Sequence, residues 1–470
     1  MLKELSAILK DMRPAFSRKA TYLWFVVIFV GLILRTDSFG VSSIVRALFL
    51  LPMHYPSLLH YFHSTAWDVE RLMSIWWQRV NQYAYTVEDR LVLVGDHTKT
   101  PKDGRKMPAV TTLHQDSETG SKPSYFRGHH WGCVAMVVKA CGRFFATPLW
   151  ATIQEGMADI DKSRNISKTI QMVRMAQRIS KALQRRSYLV LDAYFSVGSV
   201  FEEAAKVLYD GKPLIHILTR AKKNVAAFMP APQPKKSKKG RKKKYGKKLK
   251  LMKLFESTAK EHDFQTADAI IYDQQETIRY LALDLLWKPT KSLLRFILIE
   301  SSHGRMVLLT SDMTLQPVAA VELYCRRVTI ETMFGVLKNT LGGLAYHFWS
   351  SYLMPAHRKP SKNADNKQRS LNPRATARTL EAIEKFVNLQ LLVLGTLQII
   401  AKLYPVEVMA KANCWLRTQT SKTPSEFITR MAMANVIRRN LHAFAKDWIT
   451  LLIRERQEKT VISWVDSKVG

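Results

Sequence analysis

Two short apolar runs that lead into an aspartate constrain this chain more than anything else in it. One is LVLVG at 91–95, before Asp96; the other is SYLVL at 187–191, before Asp192. Both suit a strand buried on both faces. A buried strand that stops at an acid puts that acid at the rim of a sheet, where ligands bind in α/β folds. Residues 131–141 and 143–153 read as two further strands joined at Gly142, and 167–183 as an amphipathic helix. Residues 198–209 are helical again, and PLIHILT at 213–219 is another buried strand. Three strands followed by alternating helix and strand describe an α/β fold around a mixed five-stranded sheet.

The flanks differ from this core. Residues 1–86 read as helices at 23–34, 41–50, 56–61 and 67–83, broken at Gly40, Pro52 and Pro56. The apolar run 22–34 is shorter than the roughly 18–20 residues a bilayer span needs. Arg35-Thr36-Asp37 follows where a signal peptide would have small residues, so a buried core helix is expected. With Ser42, Ser43, Arg46, His54, His60 and His63 among them, these short helices fit a helix-turn-helix-like DNA reader or a plain bundle. Residues 220–320 form a β-rich insertion, with strands expected at 268–272, 277–285, 294–300 and 305–310. Its low-complexity basic tract at 233–250 fits a loop that clings to phosphates, or a solvated linker or localisation signal.

Charge narrows the partners. The formal net charge is +34, and removing the eleven Lys and Arg of 235–250 still leaves +23. Basicity spread over a compact body implies a polyanion, with nucleic acid ahead of an anionic membrane surface. Cys133, Cys141, Cys325 and Cys414 show neither C-x-x-C nor zinc spacing, which suits free thiols in a reducing compartment.

A third acid comes from VELYCRRVTIETMFGVLK at 321–338. At about 100° per residue, Tyr324, Arg327, Glu331 and Lys338 fall within an arc of about 60°, beside an apolar arc of Leu323, Ile330, Phe334 and Leu337. The same stripe would suit a solvated salt-bridge face. If Asp96, Asp192 and Glu331 share one rim, their mutual repulsion calls for divalent cations, and hard oxygen donors favour Mg²⁺ or Mn²⁺. His97, directly after the first acid, could support that acid but reads more simply as a polar turn residue, and Asp103, Asp116, Asp159 and Asp161 as solvated loop acids. Residues 342–378 mix Tyr346, Phe348, Trp349 and Tyr352 with His347, His357, Arg358 and Lys359, which fits either base stacking or a core edge followed by a basic loop. Residues 380–403 are a strongly apolar helix, and 424–454 carry further helices.

Tyr324, Arg327, Glu331 and Lys338, at intervals of two, three and six intervening residues, reproduce a signature without a gap. The chain from about 88 to 400 therefore resembles the cut-and-paste transposases of insertion-sequence family four. The resemblance implies an RNase H-like core in two parts, 87–219 and 321–405, split by the insertion 220–320 and flanked by helical regions 1–86 and 406–470. It implies that Asp96, Asp192 and Glu331 are catalytic and hold two Mg²⁺ or Mn²⁺ ions, and that Tyr324, Arg327 and Lys338 contact DNA. The implied activity is cleavage of transposon ends and their joining to target DNA. Implied partners are terminal inverted repeats, target DNA and a second copy of the chain in a paired-end complex, without a membrane, in a prokaryotic cytosol. A catalytically silent DNA-binding derivative and an RNase H-like nuclease are the alternatives. Trp287 lies where the family often keeps a base-trapping aromatic.

Overall fold

The computed structural model describes residues 1–115, 124–156, 165–232, 243–256, 263–356, 369–412, 423–442 and 449–455. Five helices open the chain: α1 (Leu2–Asp11), α2 (Lys19–Leu34), α3 (Ser42–Ala47), α4 (Tyr55–His63) and α5 (Val69–Asn81). Apolar periodicity drives α1 and α5, and Asp68 caps α5 by accepting from the Arg71 N–H. In α2 nearly every residue from Phe25 to Leu34 is buried, so the helix is a core element, as its composition predicts.

The central sheet begins with β1 (Thr86–Val87) paired to β2 (Arg90–Pro101), followed by β3 (Thr111–His114), β4 (Tyr125–Ala140) and β5 (Arg143–Ile153). Helix α6 (Lys168–Leu183) leads to β6 (Ser187–Leu191). Then come α7 (Gly198–Ala205), a two-strand hairpin β7 (Leu208–Tyr209) and β8 (Lys212–Pro213), and β9 (Ile215–Arg220). Strands β2, β6 and β9 are parallel, while β4 is antiparallel to both β2 and β5. The order β5-β4-β2-β6-β9 is the mixed five-stranded sheet that the strand pattern predicts, consistent with an RNase H-like core.

The insertion continues this sheet. Strands β10 (Ala226–Pro230), β11 (Tyr245–Lys250), β12 (Gln265–Ile271), β13 (Gln274–Trp287), β14 (Ser292–Ser301) and β15 (Gly304–Thr310) follow β9. Strand β15 pairs antiparallel with β9, and β14, β13, β10 and β11 extend outward from it, with β12 on β13. Among the described residues the sheet reaches 13 strands. Tyr245 to Lys250, expected as part of a basic loop, are strand β11, paired to β10; residues 233–242 of that tract lie outside the described residues.

The chain returns through α8 (Pro317–Cys325) and α9 (Val328–Gly335), then forms α10 (Pro373–Leu403), α11 (Pro405–Ala412) and α12 (Glu426–His442). Among the described residues α10 alone is long and apolar enough to cross a membrane, but 89% of its most apolar window is buried inside the protein. It closes the free edge of β5. Asn388 pairs with both the N–H and the C=O of Ala151, and Glu384 accepts from the Ile153 N–H. A bulge in β5 turns the Pro148 and Leu149 carbonyls toward α5, where the Trp76 and Trp77 indoles donate to them at 2.9 and 2.8 Å.

The N-terminal helices pack into this same helical body. Buried Arg35 donates to the carbonyls of Leu341 and Gly342 and to Gln390 of α10, and burial lowers its pKa to about 10. Several of the polar groups that sequence offers to DNA have partners within the protein, although Arg46 stays exposed. Ser43 accepts from Arg35, Arg46 is forked onto Asp37, His54 packs on Trp24, and His63 packs on Phe348.

Candidate active site

The parallel register of β2 and β6 runs from Leu91 opposite Ser187 to Val94 opposite Val190. Carried two residues further, it brings Asp96 level with Asp192. Strand β2 does not stop at its acid, as expected from sequence. It continues to Pro101, because β4 stays paired with it from Asp96–Cys133 to Pro101–Gly128. Asp96 is therefore the point where β6 leaves β2, and the gap beside it is the rim. Gly95 keeps that gap tight, since a Cβ there would lie 2.9 Å from Leu191 and Met172. Asp192 follows β6 directly and caps a short turn, accepting from the Tyr194 N–H at 3.1 Å.

The stretch 321–338 is not the single helix that its periodicity predicts. It breaks between α8 and α9, where the N–H groups of Arg327, Thr329 and Ile330 bond three residues back, and it ends in a π-turn, Val336–Thr340. The break falls at two arginines drawn to opposite walls. Arg326 pairs with Asp273 at 2.8 Å and stacks on Phe144, whereas Arg327 reaches Asp96 at 3.0 Å and also pairs with Glu331. The apolar arc behaves as its pattern predicts, with Leu323, Ile330, Phe334 and Leu337 buried. Lys338 lies in the π-turn and donates to the Lys99 carbonyl at 3.2 Å.

Carboxylates at this rim are short of positive charge. Burial and the charge of Asp192 push the Asp96 pKa up to about 6, against the pull of Arg327 and the His97 N–H. Burial likewise raises Asp192, again against Arg327, while Glu331 adds repulsion to both. Arg327 keeps its proton: Asp96 and Glu331 outweigh the burial that would lower its pKa. Burial raises the Tyr324 phenol, next to the charges of Arg327 and Arg220.

A family model for the DDE superfamily endonucleases matches residues 11–282, more than half of the chain. The chain belongs to the DDE superfamily endonucleases. This places it among DNA-cleaving, transposase-like enzymes, which generally use divalent metals. The match covers Asp96 and Asp192 and ends before Glu331. A search of curated proteins returned no match.

The endonuclease's rim opens into a groove of about 1040 Å³ lined by Asp96, Asp192, Lys99, Lys168, His130 and Lys338, among others. Sequence reasoning missed one wall of it. His97 is no turn residue but part of β2, packed against His130, Tyr194 and Phe195, and burial lowers its pKa to about 3. Its Nε2 is buried and has no hydrogen-bond partner among the described residues. Glu155 accepts from His130 and Lys168, which hold its pKa near 2 against burial. No sequence signal links these four positions, because β2, β4, the end of β5 and α6 meet only in three dimensions.

The donor set suits a hard divalent cation: oxygen ligands only, with two raised pKa values that a cation would relieve. The Arg327 guanidinium stands in for such a charge between Asp96 and Glu331. Among the described residues no three acidic, His or Cys side chains close on one point, and Arg327 lies between Asp96 and Glu331. Trp287 is buried against Phe201 at the end of β13 and presents no free ring. Asp103 is exposed; Asp116, Asp159 and Asp161 lie outside the described residues, as do His357, Arg358, Lys359 and Cys414.

Proposed function

We propose that this endonuclease is a cut-and-paste DNA transposase of the insertion-sequence family four type. It would cleave the ends of its element and join them to target DNA. The observation that carries the reading is the level placement of Asp96 and Asp192 with Glu331 held one guanidinium away, on the broken helical segment that also carries Tyr324, Arg327 and Lys338. Asp96, Asp192 and Glu331 would hold two Mg²⁺ or Mn²⁺ ions, which supply an activated oxygen nucleophile and a stabilised leaving oxygen.

The chain's own residues then have separable tasks. Arg327 exchanges its two carboxylates for a phosphate, which a planar guanidinium can fork in the same way. Arrival of DNA and release of Glu331 toward the aspartates are thus one event. Lys338 adds a point charge at the groove wall, and the Tyr324 hydroxyl a hydrogen bond to the same backbone. We assign the catalytic core to 87–219 and 321–405, interrupted by 220–320. Residues 1–86 contribute DNA binding and 406–470 a helical support. The partners are inverted repeats, target DNA and a second copy of the chain, and the compartment is a prokaryotic cytosol.

The test uses DNA flanking the coding region, searched for inverted repeats and incubated with the full chain and Mg²⁺. Nicks at the repeat ends are expected, followed by joining to a second duplex. Asp192→Asn should bind those ends as well as the parent and cut none. Undiminished strand transfer by that variant would overturn the reading.

A further inference from the structure

Residues 348–354 resolve the aromatic stretch that sequence leaves open, and they split it in two. Phe348 and Leu353 are buried, with Phe348 packed on Phe62 and Phe386. Trp349 and Tyr352 point outward, 67% and 46% exposed. Their backbone is laced on both sides. The Ser350 and Ala356 N–H groups donate to the Lys106 and Arg105 carbonyls at 2.9 and 2.8 Å, and on the other side Leu371 donates to Tyr352 and Met354 to Arg369. Two exposed rings thus stand on a backbone pinned to that of Arg105, Lys106 and Arg369, which brings three basic residues into the same surface segment. Aromatic faces beside cations stack bases and track the phosphate backbone.

The surface continues the catalytic groove. Strand β2 carries the groove wall from Asp96 through Lys99 to Pro101, and Lys102 is then anchored to the Leu344 and Tyr346 carbonyls at 2.6 and 3.1 Å. The next residues, Arg105 and Lys106, hold the aromatic segment. At about 3.3 Å per residue, Asp96 to Pro101 spans about 17 Å, or about five base steps at 3.4 Å each.

From this we infer that Trp349 and Tyr352 form a stacking platform for unpaired nucleotides of a DNA strand leaving the catalytic groove. Charge complementarity and continuity with the groove select single-stranded DNA over a protein partner. The inference rests on the reading of the groove as a DNA site, but not on cleavage.

Binding can therefore be measured in chelator with the full chain, by fluorescence anisotropy. Two fluorescent duplexes of equal paired length are compared, one blunt and one carrying a five-nucleotide unpaired extension containing 2-aminopurine. The parent protein should prefer the tailed duplex by about fivefold or more and quench the 2-aminopurine. Trp349→Ala and Tyr352→Ala should each erase most of that preference while leaving blunt-duplex affinity unchanged, and Trp349→Phe should retain it. Absence of a tail preference in the parent would overturn the platform, as would equal loss on both duplexes or a change in sedimentation, which would mark a contact between copies. A preference that persists in a chain unable to cleave any DNA would uphold the platform and defeat the transposase reading instead.

Discussion

The two ends of the β2 stretch that runs beside β6 carry buried acid clusters of opposite character. At its start, Asp312 accepts from the Thr314 N–H and hydroxyl at 2.9 and 2.7 Å, from Tyr188 at 2.8 Å, and pairs with Arg90 at 2.9 Å. Burial alone would raise its pKa, but these bonds and the nearby His216 outweigh burial and hold it near 2. Six residues along the same strand, at Asp96, burial and a second carboxylate win instead, and the pKa stands near 6. One cluster is saturated with donors. The other lacks positive charge and borrows a single guanidinium for two carboxylates. A fold keeps such a deficit where a ligand fills it, and hydrogen-bonds it away where none does.

The signs follow from linkage. Asp312 titrates below its ordinary 3.8, so its contribution to stability is present above about pH 4 and disappears as pH falls toward 2. Asp96 titrates above 3.8, so it costs nothing below about pH 4, and its penalty builds as pH rises from 4 to 6 and is complete above that. At about 1.4 kcal/mol per unit, each amounts to roughly 2–3 kcal/mol at neutral pH, with opposite sign.

The largest expected effect is on chemistry. Asp96→Asn should reduce Mg²⁺-dependent DNA cleavage to background in a gel assay. Asp312→Ala should still cut at low temperature, because its cluster touches no part of the groove. Next comes stability: Asp312→Ala leaves Arg90 and Tyr188 with Glu88 as their one carboxylate and should cost about 3 kcal/mol in urea unfolding at pH 7. In chelator, Asp96→Asn should instead gain about 1–2 kcal/mol, less than the full penalty because Arg327 loses one partner. If both variants lost stability, the contrast between the two ends would be gone.

Metal should act at one end only. At a hundredfold excess over its dissociation constant, Mn²⁺ should stabilise the parent by about 2.7 kcal/mol in thermal unfolding and leave Asp96→Asn unmoved; an equal shift in both would place the ion elsewhere. Smallest is the pH effect. Asp312→Asn should flatten the acid limb of the stability curve below about pH 4, while Asp96→Asn changes its slope between pH 4 and 6.

Much of the acidic rim is legible in sequence, because its parts are local patterns. A strand that is apolar throughout and then meets Asp96 or Asp192 announces its own burial and its own end of burial. The apolar arc of Leu323, Ile330, Phe334 and Leu337 states which side of the helix faces the core. What periodicity misses is where a regular element is interrupted. Arg326 and Arg327 read as consecutive points on one helix, yet their partners, Asp273 and Asp96, lie on different walls and the helix opens between them. His97 looks like a turn residue because nothing nearby in sequence reveals the ring-lined pocket of His130, Tyr194 and Phe195.

By itself, then, the sequence determined the α/β class, a mixed five-stranded core, the buried helices 22–34 and 380–403, and the acids that follow two buried apolar runs. Those features depend on which residues avoid water, and spacing along the chain records that directly. Tertiary structure alone decided that β2 runs past Asp96, that the insertion extends the sheet, and that Arg35 ties the N-terminal helices to a segment about three hundred residues away. It also set Arg327 between two carboxylates. Pairing partners and shared charges are chosen among distant segments by which combination satisfies every buried polar group, and no local window contains both members of such a pair.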